Sequence, residues 1–158
     1  MKSLLKLFFV AAVVVLPTAF ASVKPLKEPE PIAIPQGLSD AQVTSAIKKG
    51  MSRRGWRVEK EEPNKILAVI YVRDHVVKNT IAWDKKDVRI SYAGSTNMKY
   101  ELREPKSSGG GMFDFDDAKD KDKKVEPVPY IHSRYNSWTQ NLANDIRIEL
   151  DYAASTAP

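Results

Sequence analysis

The chain holds two histidines, His75 and His132. An imidazole is the side chain whose ordinary pKa lies nearest neutrality. General acid–base chemistry needs such a group tuned and held within hydrogen-bond reach of a partner. His75 follows Arg73 between two apolar runs. His132 opens "IHSRYNSWTQNL", beside Tyr135, Asn136 and Trp138. If both imidazoles reach one rim of a sheet, with Arg73, Tyr92 and Asn136, they form a polar pocket for a small ligand. The competing account is structural. In it His75 shapes a reversal between strands, and His132 bonds backbone at a helix start that Ser133 caps. No Ser-His-Asp order and no G-x-S-x-G elbow occurs, so no catalytic residue is assigned. Two histidines make a poor zinc site without a third ligand.

Three other clusters invite chemistry. The run "DFDDAKDKD" at residues 114–122 invites calcium, but a calcium loop wants oxygen ligands at alternate positions and a glycine at the sixth. Counted from Asp114, the fifth and sixth positions are Ala118 and Lys119. Counted from Asp120, the fifth is Lys124. Both registers fail, and no metal or cofactor is implied. A basic cluster comprises Lys48, Lys49, Arg53, Arg54, Arg57 and Lys60, with Trp56 among them. It suits anionic envelope material or an acidic partner protein. It equally suits ordinary surface charge at a helix C-terminus. Trp83 and Trp138 could stack on a glycan, but their spacing is that of core residues.

These residues need elements to position them. Ser39 and Gln42 make a capping box, and Leu38 can staple to Val43. Val43, Ala46, Ile47 and Met51 then mark one helical face, and Gly55 ends it. Four short β segments follow. "WRVEKE" places Trp56 and Val58 on one face. "KILAVIYV" is nearly all apolar, as a central strand is. "VVKNTIAW" aligns Val77, Ile81 and Trp83, and "VRISY" aligns Val88, Ile90 and Tyr92. Their short connections predict an antiparallel meander. Tyr135, Trp138, Leu142, Ile146 and Leu150 recur at helical spacing, with Trp138 as the expected anchor. The fold class is α+β: a four-stranded antiparallel meander with an N-terminal and a C-terminal helix on one face.

The chain is 158 residues long. Residues 1–21 read as a signal peptide: a start carrying Lys2 and Lys6, an apolar run of about ten residues, and Ala19-Phe20-Ala21 before Ser22. Cleavage after Ala21 leaves about 137 residues, enough for one domain. The formal charge of +5 falls to about +3 without the two lysines, too little to imply nucleic acid. No cysteine is present, so neither a disulfide nor a lipid-bearing thiol is available, and the apolar run is shorter than the roughly 20 residues a bilayer needs. Residues 22–37, with Pro25, Pro29, Pro31 and Pro35, read as an extended linker. Residues 38–152 are then the α+β domain, residues 105–129 a mobile charged insertion, and residues 153–158 a disordered tail.

Arg54-Gly55-Trp56, Arg73 with His75, Tyr92 with Ser95 and Asn97, and Ile131-His132 with Tyr135-Asn136 and Trp138 form a joint pattern. The stretch from Ala41 to Ile148, apart from the insertion, resembles a family of small uncharacterised exported proteins and lipoproteins of Gram-negative bacteria. The resemblance implies export to the periplasm and carries no catalytic residue over. This chain departs from the lipoprotein members in lacking the acylated cysteine. The expected role is therefore a non-enzymatic binding or scaffolding domain in the cell envelope. Its partner would be an envelope protein or an anionic envelope component. The alternatives are a small-ligand carrier, or an enzyme with a polar site around His75 and His132.

Overall fold

A computed structural model describes residues 22–104 and 126–156. The expected signal peptide, the acidic run and most of the insertion lie outside these residues. The elements run β1 (Val23–Pro25), β2 (Ile32–Ala33), α1 (Asp40–Ser52), β3 (Arg57–Glu62), β4 (Lys65–Val72) and β5 (His75–Trp83). Then come β6 (Asp87–Thr96), β7 (Glu101–Arg103), β8 (Val128–His132) and α2 (Arg134–Ser155). The protein is α+β, with two antiparallel sheets. One has five strands in the order β2-β6-β5-β4-β3, and the other has three in the order β1-β8-β7. No described helix is long and apolar enough to cross a membrane.

Local chemistry explains α1. Ser39 Oγ accepts from Gln42 N, and Ser39 N donates to Gln42 Oε1 at 2.9 Å, closing the capping box. At its far end Trp56 N reaches Met51 O and Gly55 N reaches Ser52 O. Gly55 sits at φ +78°, a left-handed position that glycine adopts without a Cβ clash. This turn delivers Trp56 to the core, where it is buried.

One cluster of buried side chains unites the helices with one face of the larger sheet. Val43, Ile47 and Met51 of α1 and Leu142, Ile146 and Leu150 of α2 meet Ile66, Ile70, Val77, Ile81 and Ile90. The helices touch closely because Gly50 lacks a side chain. A Cβ there would lie 2.7 Å from Ile146 Cα and 2.8 Å from Ile146 N. Glycine in a helix interior ordinarily costs about 1 kcal/mol against alanine. Gly50→Ala is expected to reverse that sign and destabilise by about 1–3 kcal/mol, because the clash is with backbone and the helices must part. Urea unfolding checks it. A variant as stable as wild type would mean that the seam gives freely.

Several expectations need correction. The meander is embedded in a larger arrangement, with strands before α1 and two more between β6 and α2. Residues 22–37 are no free linker. β1 pairs with β8, β2 pairs with β6, and Ile32 is 1% exposed. Their prolines do keep the chain extended, but an extended chain with partners is a strand. The insertion expected at 105–129 overreaches, since Val128 and Pro129 belong to β8 and pair with Arg103 and Leu102. Residues 153–155, expected in a disordered tail, belong to α2, which continues to Ser155. Val58 does not join Trp56 inside: β3 is an exposed edge with an irregularity between Val58 and Lys60. Such a charged, kinked edge resists unwanted strand pairing.

Candidate functional site

The structure brings the two histidines together. His75 is the first residue of β5 and His132 the last of β8. Their ring centroids are 5.5 Å apart, and the His75 ring lies 6.4 Å from that of Trp138. His132 Nδ1 accepts from Arg134 N at 3.1 Å, so its proton sits on Nε2 when it is neutral. His75 Nδ1 lies 2.9 Å from the carbonyl of Asn97. A carbonyl only accepts, so that nitrogen carries a proton, and in the neutral ring Nε2, 3.7 Å from Asp74 Oδ1, keeps a lone pair. The corner thus offers one donor and one acceptor. In the chain next to the histidines, the backbone at Arg73, Asn97 and Lys99 has positive φ of 56°, 58° and 50°. Backbone strain of this kind gathers at functional sites.

Ser133 does not cap α2 with its side chain. It meets Ser22 Oγ at 2.9 Å, and the His132 imidazole takes the capping place. Burial holds the His132 pKa below the ordinary histidine value, helped by the neighbouring charges of His75, Lys99 and Arg134. As pH falls, the unfolded chain therefore takes this proton first. The stability contributed is complete above the unfolded value of about 6.5 and is lost as pH falls from there towards the folded-state pKa. The urea midpoint is expected to drop as pH falls below about 6.5. His132→Asn, which keeps an acceptor and cannot titrate, is expected to flatten that drop. An equal drop in the variant would place the linkage elsewhere.

The remaining residues expected in this pocket do not join it. Asn136 holds the N-terminal segment, its Oδ1 accepting from Lys27 N and its Nδ2 donating to Pro25 O. Tyr92 stands opposite Asn79 in the register of β5, away from His75. It stacks on Tyr100 and bonds Ser95 Oγ at 2.8 Å. Arg73 lies exposed in the turn between β4 and β5.

The basic patch is largely neutralised. Lys48 pairs with Glu61 at 2.7 Å, Lys60 with Glu62, Arg54 with Asp145 at 2.6 Å, and Arg53 with Glu149 at 2.7 Å. Lys49 and Arg57 remain exposed without an ion pair among the described residues. The arginine pairs join α1 to α2. Asp145 and Glu149 are buried, and a buried carboxylate needs such a partner. Sequence spacing could not show this, because the partners lie far apart along the chain.

Sequence reasoning also missed a groove of about 390 Å³ between the end of α1, the first turns of α2 and β4. Trp56, Ile70, Val72 and Trp138 wall it, and Arg53, Arg54 and Asn141 supply its polar groups. Trp138 is therefore shared between the groove and the histidine corner. Trp56 turns its ring to the core and groove wall, and its Nε1 is sealed without an acceptor. Among the described residues, no group of three or more His, Asp or Glu could hold a metal ion. No family model, no curated protein and no solved structure matches this chain.

Proposed function

We propose that this protein is a non-catalytic binding domain of the cell envelope whose ligand seats in the groove between helices and sheet. The groove carries this reading. Its volume of about 390 Å³ falls in the range of small-molecule sites, and its walls combine apolar and aromatic side chains with a few polar groups, as such sites do. The signal-peptide pattern of residues 1–21 and the resemblance to exported proteins support the location. Protein recovered from the periplasmic fraction is then expected to have an intact mass beginning at Ser22. The test of binding compares the wild type with Val72→Trp, which fills the groove. Components of an envelope extract retained by the wild type are expected to be lost from the folded variant. Identical retention by both would sink the groove reading.

A second reading places a polar site at the histidine corner. Its support is the complementary pair of imidazole nitrogens and the three strained residues next to them. Loss of retention in His132→Asn, with Val72→Trp unaffected, would favour it.

A further inference from the structure

We infer that the groove takes a single-tailed amphiphile with a carboxylate head, an acyl-chain acid, with its head on Arg53 and Arg54 and its tail along the Trp56 and Trp138 rings. This rests on the binding reading above and adds the ligand's chemistry. The sign of the head follows from exposure. In the two ion pairs at the groove, the arginine side chains are 48% and 50% exposed, while Glu149 and Asp145 are 10% and 9% exposed. An incoming head therefore meets guanidinium, with the carboxylates behind it. A cationic head would have to displace an arginine from a buried carboxylate.

The guanidiniums also have donors to spare. Arg54 bonds Asp145 through Nε, and Arg53 bonds Glu149 through Nε and Nη2. The terminal nitrogens of Arg54 and Nη1 of Arg53 have no protein partner among the described residues. A guanidinium edge of this kind pairs with the two oxygens of a carboxylate. Each arginine's charge is matched by its partner's, so the head is held by directed N–H donors and not by a net positive field, which suits a single carboxylate better than a polyphosphate. The tail follows from the walls. Trp56, Ile70, Val72 and Trp138 make the apolar part of the wall, and the indole N–H of Trp56 is sealed; apart from the arginines, the amide of Asn141 is the one other polar side chain lining the groove. About 390 Å³ lies near the lower end of small-molecule sites, which suits one chain and not a two-chain lipid.

The experiment titrates the mature protein with hexanoate, decanoate, decanol and decyltrimethylammonium, each kept monomeric, and reads calorimetry and indole fluorescence. Decanoate is expected to bind saturably, and more tightly than hexanoate. Decanol and decyltrimethylammonium are expected to bind at least about tenfold more weakly than decanoate, the scale of a lost charge-assisted pair. Arg54→Gln with Asp145→Asn removes one pair without leaving a buried charge, and is expected to weaken decanoate by about tenfold while the fold persists. Equal affinity for decanol or for the cation would overturn the head assignment. No saturable decanoate binding to folded protein would overturn the ligand class, as would binding to anionic phospholipid vesicles alone. If decanoate fails but Val72→Trp still loses its envelope component, the binding reading stands without this ligand. If both fail, the binding reading falls too.

Discussion

A chain that begins at Gly37 is expected not to fold, although it keeps both helices and the four long strands. The missing segment is held at six places. Ile32 is 1% exposed between β6 and the core, and Leu26 and Ile34 pack against that core. β1 is bonded along β8 from Val23 to Pro25. Asn136 spends both ends of its amide on Pro25 and Lys27, and Glu28 Oε1 accepts from Tyr92 N at 3.0 Å. Removing a buried isoleucine alone costs about 2–5 kcal/mol. The lost strand pairing and stranded polar groups add about 1 kcal/mol each. A domain of this size has only about 5–15 kcal/mol in total. Far-ultraviolet dichroism and urea unfolding of the shortened chain test this, with Ile32→Asp as a point substitution in the full segment. A cooperative transition at the wild-type midpoint for the shortened chain would return residues 22–36 to the role of a tether.

That segment shows where sequence reasoning stops. Four prolines in fifteen residues do dictate an extended backbone, but whether it is free or paired depends on β6 and β8, far away in the chain. Two- and three-residue strands leave no alternation to read. The strands from β4 to β6 were legible because each is long enough to alternate, as Val77, Ile81 and Trp83 do. Capping at Ser39 was legible because its partner Gln42 is three residues away. The groove and the arginine–carboxylate pairs were not legible, since each joins residues from different elements. Gly50 left a faint signal. Ala46 and Gly50 are small residues one turn apart on the apolar face of α1, as a close helix crossing requires. Of the histidine site, the meeting of His75 and His132 at one rim of the sheet is legible, because a reversal between strands and the start of a packed helix both lie at a sheet's end. The recruitment of Asn136 to the N-terminal segment is not legible, because its partners are backbone groups of Pro25 and Lys27, which no side-chain pattern marks.

The second large effect is expected at Tyr135, and it replaces Trp138 as the anchor of α2. The two share a helical face, so spacing alone could not rank them. The structure does: Tyr135 is fully buried, whereas Trp138 is only partly buried at the groove. Tyr135 also does more than fill space. Its hydroxyl donates to Asn79 Oδ1 at 3.2 Å, and Asn79 Nδ2 donates to Thr139 Oγ1 at 3.1 Å. Asn79 and Thr139 are fully buried too, so this chain of bonds seats α2 on β5 at one position. Burial also pushes the phenol pKa upward, so the hydroxyl stays a donor at any ordinary pH. Truncating a buried aromatic costs about 3–5 kcal/mol. Tyr135→Ala adds the loss of Asn79's partner, and is expected to leave the protein at or below marginal stability. Tyr135→Phe keeps the ring and strands one acceptor, for about 1–3 kcal/mol. Trp138→Ala removes less buried surface, and is expected to cost about 2 kcal/mol while emptying one wall of the groove. Urea unfolding of the three variants gives the order. If Trp138→Ala proves the most damaging, the core centres on the groove side of α2, and the buried tyrosine network is secondary to it.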